Sequence, residues 1–210
     1  MKSNINIDMQ GHVKIFDVDT GEVFVDKPNK IHSENMSRCI ANTLSNKDNF
    51  TIYEMHFGSN GTITDAQGNI SYREPKVNLA NDDLYADKFF KNIDTLDSDN
   101  SDTANNKMEI VYADGTAYTD IIITSTLAYD EPLYTDSDFN LSSPIVSRNA
   151  NDDSTGQFIF DEIGLKAKSA DGRNKGLLLS HVIFHPVEKS ANRKIQVLYT
   201  IRIRTNYVAT

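Results

Sequence analysis

The chain has 210 residues, 39% of them hydrophobic, which suits one domain spanning residues 1–210, or a core domain with a large insertion, and is tight for two full domains. Thirty acidic against twenty-one basic side chains give a formal charge of −9, which argues against a broad nucleic-acid or anionic-membrane surface. The single cysteine, Cys39, excludes an intrachain disulfide, and the apolar runs fall far short of the ~18 to 20 residues that span a bilayer.

The opening MKSNINIDMQGHV lacks an apolar h-region, so it does not read as a secretory signal, and synthesis in a cytoplasm is expected. His12–Val18 and Glu22–Asp26 flank a DTG turn at Asp19–Gly21 and predict a hairpin whose second strand is broken by Pro28 and Asn29. Next, HSENMSRCIANTLSN sets Met36, Ile40 and Leu44 four apart beside Cys39 and Ala41, which predicts a helix over about residues 33–45. Ser33 is the expected N-cap, and Glu34 suits the positive end of the helix dipole.

IYEMHFGSNGT then places Glu54 and His56 on one strand face and Tyr53, Met55 and Phe57 on the other, ahead of a glycine-rich turn. That turn lacks the lysine of a phosphate-binding P-loop, and no helix pattern follows it. From about Asp65 to Asn106 the composition shifts to Asn, Asp, Lys and Ser, which reads as an inserted arm or a surface excursion. It carries a short helix pattern at Leu84–Ile93 and an acidic run, Asp94–Asn106, expected to be mobile. Lys107–Tyr112 and Asp120–Ala128 read as two strands, and Glu131–Gly156 as a second arm.

In the C-terminal block Phe158 and Phe160 alternate with Ile159, Gly164 and the ADGRNKG loop interrupt the pattern, and Leu177–Phe184 resumes it. The last strand alternates most clearly, with Ile195, Val197, Tyr199, Ile201 and Ile203 facing the core and Lys194, Gln196, Arg202 and Arg204 on the wet face. Pro186–Asn192 is expected to separate it from the strand before. These elements, seven or eight strands and one helix, predict a mainly antiparallel β-sandwich with a packed helix and insertions at about 65–106 and 131–156.

Chemistry finds few anchors. Asp97, Asp99 and Ser101 match the first ligands of an EF-hand loop, but Asp102 stands where glycine is needed and Met108 where glutamate is needed. His181 and His185 sit on a strand pattern, where four residues span about 13 Å, too far to share one metal ion. No GxSxG nucleophile elbow occurs, and Cys39 lies in an apolar pattern that suits a small core residue. No catalytic, cofactor-binding or metal-binding residue is therefore assigned, and no enzyme activity is expected.

HSENMSRCIANTLSN with IYEMHFGSNGT, then IFDEIGL, then LLLSHVIFHPVEKSANRKIQVLYTIRI together resemble a group of tailed-bacteriophage virion structural proteins of the neck, collar and tail. The layout is also similar to the N-terminal attachment domain of phage tail-collar fibre proteins. The likeness covers about half the chain, at both ends. It implies Gly58 and Gly61 in a tight turn of positive φ, Gly164 at a bulge or close strand approach, and a virion component acting by assembly with copies of itself and other virion proteins. It carries no nucleic-acid, membrane or cofactor partner. A fibre-attachment or baseplate adaptor and a glycan- or receptor-binding β-sandwich are the other readings.

Overall fold

The computed structural model describes residues 4–112, 114–129, 131–132 and 157–208. Among them the chain forms eleven strands and one helix: β1 (Asn4–Asp17), β2 (Val23–Ile31), α1 (Ser33–Leu44), β3 (Ile52–Gly58), β4 (Thr62–Thr64), β5 (Ile70–Tyr72), β6 (Asp87–Asn92), β7 (Lys107–Tyr112), β8 (Tyr118–Leu127), β9 (Gln157–Ala167), β10 (Leu178–Ser190) and β11 (Ile195–Val208). Nine strands hydrogen-bond in the order β6-β3-β9-β10-β2-β1-β11-β8-β7, and β4 with β5 make a separate small ribbon. Every pairing is antiparallel.

The fold is the expected mainly β, sandwich-like architecture with one helix, built by curling one sheet. The curl passes through β2, which pairs β1 over Gly11–Asn29 and its neighbours but pairs β10 in register only at Lys30 and Ile31. Beyond that point β10 leaves β2, and Lys27 Nζ bonds the Ile183 carbonyl at 2.9 Å, satisfying one acceptor that the ladder drops. Val13, Ile15, Ile123, Val197, Tyr199 and Ile201 of one half then meet Met55, Phe57, Phe160, Ile163, Leu165 and Val182 of the other in one continuous core.

Several expectations fail for physical reasons. Pro28 does not break β2, because it lies where the strand has a partner on one side only and a missing N–H costs least. Pro186 does not separate two strands either: β10 runs to Ser190, with Pro186 inside a register break between Ile183 and Val187. β9 likewise continues through Gly164 to Ala167. The helix expected at Leu84–Ile93 is absent; its centre, Asp87–Asn92, is strand β6, with Phe89, Phe90 and Asn92 buried and β3 as its partner. The helix starts one residue earlier than expected at its cap: His32, not Ser33, is the N-cap, and its Nδ1 accepts from Asn35 N at 3.3 Å. Met36 and Cys39 enter the core, whereas Leu44 is exposed at the end of the helix.

The acidic run from Asp94 is tied down instead of loose. Asn100 Nδ2 bonds the carbonyls of Asp94 and Asn106, and Asn106 Oδ1 accepts from Ser125 Oγ and Thr126 N. The arm expected at 131–156 lies, from residue 133 on, outside the described residues.

Candidate functional site

A third layer gives the molecule its most concentrated chemistry. Residues 73–86, part of the expected insertion, form a strap over the face of β3, β9 and β10 that looks away from the core. The face beneath carries Glu54 and His56 from β3, Glu162 and Lys166 from β9 and His181 from β10, all essentially without solvent contact. Asp87 enters from the start of β6.

Three buried histidines pin this layer, each differently. His32 Nδ1 accepts from Asn35 N, so its Nε2 donates to the Leu79 carbonyl at 2.8 Å and the ring is neutral. His181 Nδ1 accepts from Lys76 N at 2.9 Å, so its Nε2 donates to Glu162 Oε2 at 2.9 Å and this ring is also neutral. His56 faces a carboxylate at each nitrogen, Asp87 from Nδ1 at 2.8 Å and Glu54 from Nε2 at 3.2 Å, so both nitrogens donate and the ring is an imidazolium. Burial works against that charge, but the Asp87 carboxylate and the bonds to Asp87 and Glu54 outweigh it, against the Lys166 charge, and raise the His56 pKa.

Lys166 is the second cation. Its three N–H bonds go to Asp83 and Asp87, each at 3.0 Å, and to Asn174 Oδ1 at 3.1 Å. Burial pulls its pKa down, and Asp87 with Asp83 more than restores it, so the net shift is upward. For Asp87 burial pushes upward, yet His56 and Lys166 hold the carboxyl below its ordinary range. Glu54 Oε2 also accepts from Asn174 N at 2.9 Å, which fastens the β9–β10 connection to the same cluster.

Glu162 serves the strap directly, accepting from Tyr85 N and Ala86 N at 2.9 Å each besides His181. Its neighbour Asp161 holds the glycine-rich turn, accepting from Gly61 N at 2.9 Å and Thr62 N at 2.8 Å. The IFDEIGL stretch is therefore a double clamp. The glycines nearby leave room for what it clamps: a Cβ on Gly58 would lie 2.7 Å from the Ala86 carbonyl oxygen, and one on Gly164 2.7 Å from Leu178 and 3.0 Å from Leu84 of the strap. The positive φ expected at Gly58 and Gly61 belongs instead to Asn60, at 76°; close approach, not handedness, requires these two glycines. Gly164 does sit at a close approach, as expected.

The arrangement can hold charge and backbone, and most of its donors and acceptors are consumed within the protein; Glu54 Oε1 is buried without a hydrogen bond and lies 3.9 Å from Arg173 Nε. Among the described residues no group of three or more His, Cys, Asp or Glu side chains is placed to hold a metal ion. In the Glu54–His56–Asp87 group the ring stands between the carboxylates, so their oxygens do not converge. His185, four residues from His181, is exposed beside the Tyr72 hydroxyl, and the two imidazoles serve different contacts. Asp97, the first of the calcium-like positions, accepts from Asp99 N, Tyr53 Oη and Lys168 Nζ. Cys39 is buried and free, with its pKa raised by burial. Two of the basic residues near the C-terminus are paired with carboxylates: Arg202 makes a two-bonded pair with Asp120 at 2.8 and 2.7 Å, and Arg193 lies 3.3 Å from Asp17. No helix among the described residues is long and apolar enough to cross a membrane.

Sequence reasoning paired Glu54 with His56 on one face but gave no sign that the face is covered. The signal that could have found it is the matching alternation of Glu162, Gly164 and Lys166 on a second strand, with small or ionisable residues facing one way and Ile163, Leu165 and Ala167 the other. No protein-family model, no curated protein and no solved structure matches the chain.

Proposed function

We propose that this chain is a non-enzymatic structural component of a tailed-bacteriophage virion, made in the bacterial cytoplasm and assembling as a multimer at the neck, collar or tail. The observation that carries the reading is the use made of the resembling motifs. Asp161 and Glu162 clamp two loops onto the sheet, Gly58 and Gly164 admit the strap, and His181 locks it. Asp161, Glu162 and His181 in those motifs thus spend bonding capacity on holding loop backbone, which is what a protein that acts through its shape and edges requires.

The test is to purify particles from a lysate of the phage carrying this sequence and to locate the chain by cryo-EM. Density for the fold of β1–β11 at the neck, collar or tail axis is the expected result. Absence from the particle overturns the reading, a position at the fibre root favours the attachment adaptor, and one at distal fibre tips favours receptor binding.

A further inference from the structure

Among the described residues, the nine-stranded sheet ends in two outer strands, β6 and β7, that are differently defended. Its β6 edge carries Asp87, Lys88 and Lys91 within one short strand and has a register break at Phe57 and Gly58, both of which discourage addition of a further strand. The β7 edge has no such break along its whole pairing with β8, and Ile110, Val111 and Tyr112 are 58%, 43% and 73% exposed. Inside the sheet lies a third opening. β1 pairs β11 from Asn4 onward but pairs β2 only from Gly11, so the β2-side edge of Asn4–Gln10 has no backbone partner among the described residues. Beside that edge, Ile7 and Met9 of β1, Ile31, and Met36 and Ile40 of α1 line a groove of about 410 Å3.

We infer that β7 of one copy of this chain adds to the free Asn4–Gln10 edge of β1 in the next copy, joining copies head to tail. Strand polarity permits it. Since β1, β11, β8 and β7 alternate in direction, β7 runs antiparallel to β1, and a copy set alongside in the same orientation presents β7 antiparallel to that edge. The chemistry of the two segments also matches. With Met108 opposite Ile7, Lys107 falls opposite Asp8, so apolar residues meet on the core-facing side and a pair of opposite charges meets on the other. Met108 and Ile110 of the incoming strand point to the side on which Met36 and Ile40 bound the groove, and Tyr112 continues that row. Because the two surfaces differ, the contact is heterologous and builds a ring if the rotation closes or a filament if it does not. The inference supplies the self-contact that the assembly reading above calls for, and it fails independently of that reading.

Light scattering on the full chain after size exclusion tests it. Wild type is expected to associate as concentration rises, while Ile110→Lys and Ile7→Lys, both at positions exposed in the single chain, each remain monomeric. An equimolar mixture of the two variants is expected to form a 1:1 dimer, since one contributes an intact β7 and the other an intact β1 edge. Far-UV circular dichroism checks that the variants fold, and Tyr112→Lys serves as a second β7 variant. A monomeric wild type at millimolar concentration overturns the inference, as does association that Ile7→Lys leaves intact or variants that do not complement. None of these outcomes bears on whether the chain is found in the particle.

Discussion

Glu162 and His181 share a 2.9 Å hydrogen bond with both side chains wholly shielded from solvent, and each uses its remaining capacity on the backbone of the strap. Removing the carboxylate strands the N–H groups of Tyr85 and Ala86 together with the imidazole donor. Glu162→Ala is therefore expected to lose about 3 kcal/mol or more in urea unfolding, at the ~1 to 3 kcal/mol typical of each buried polar group left unpaired. Glu162→Gln keeps the shape and one acceptor oxygen, and should fall between the two. Equal stability of Glu162→Ala and wild type would refute the clamp.

The cation at His56 makes a prediction about pH. Its folded pKa lies above the ordinary 6.5, so its contribution is complete below that value and is lost as pH rises through the raised one. Asp87 is the reverse: its folded pKa lies below 3.8, so its contribution is complete above 3.8 and is lost as pH falls through the depressed one. Breaking a buried pair by removing one partner costs about 3 to 5 kcal/mol. His56→Gln should therefore be destabilised by an amount of that order between pH 3.8 and 6.5, with the gap from wild type narrowing on either side. A gap that widens steadily into alkali would contradict a charged ring.

Two glycine substitutions should differ in severity. Gly58→Ala drives a methyl to 2.7 Å from the Ala86 carbonyl, a backbone atom of the strap, whereas Gly164→Ala comes that close only to a Leu178 methyl, with a Leu84 methyl and the Ser180 carbonyl at 3.0 Å. Overpacking of this kind typically costs about 1 to 3 kcal/mol, and Gly58→Ala should sit at the upper end with Gly164→Ala below it. Amide exchange at Tyr85 and Ala86 reads the same displacement locally, and unchanged protection there in Gly58→Ala would remove the argument.

Tyr199 is core-facing and completely buried, and its hydroxyl bonds the Asn29 amide. Burial, which outweighs its bonds to Ser180 and Asn29, raises the phenol pKa. Tyr199→Phe keeps the ring packing but leaves the amide short of a partner, so a loss of about 1 kcal/mol is expected in thermal or urea unfolding. A stabilised variant would show that the bond is not a net contribution.

The sequence made legible those parts whose partners are near or whose environment is uniform. The alternation of Ile195, Val197, Tyr199 and Ile201 is visible because one face is dry along its length, and α1 is visible because Met36, Cys39 and Ile40 repeat at helical spacing. Pro28 and Pro186 misled because a proline's effect depends on whether its N–H position faces a neighbouring strand, which is a tertiary fact. Leu84–Ile93 misled because Phe89 and Phe90, adjacent in sequence, are buried on opposite sides of β6, Phe89 in the core and Phe90 against His56 and beneath Arg173 of the β9–β10 connection. The charge cluster was hidden for a like reason: Lys166 looks like a wet-face residue until Asp83 of the strap reaches it, and Glu54 until the β9–β10 connection folds over it through Asn174.

That strap also orders events during synthesis. Tyr85 and Ala86 bond a carboxylate 77 and 76 residues further along the chain, and Lys76 bonds an imidazole 105 residues further along. β1, the first of these eleven strands in chain order, pairs along its full length with β11, the last of them. The part of β1 that β2 does not pair, Asn4–Gln10, and the covering layer therefore wait for their partners until β9, β10 and β11 have been made, and closure of the sheet and docking of the strap follow only then.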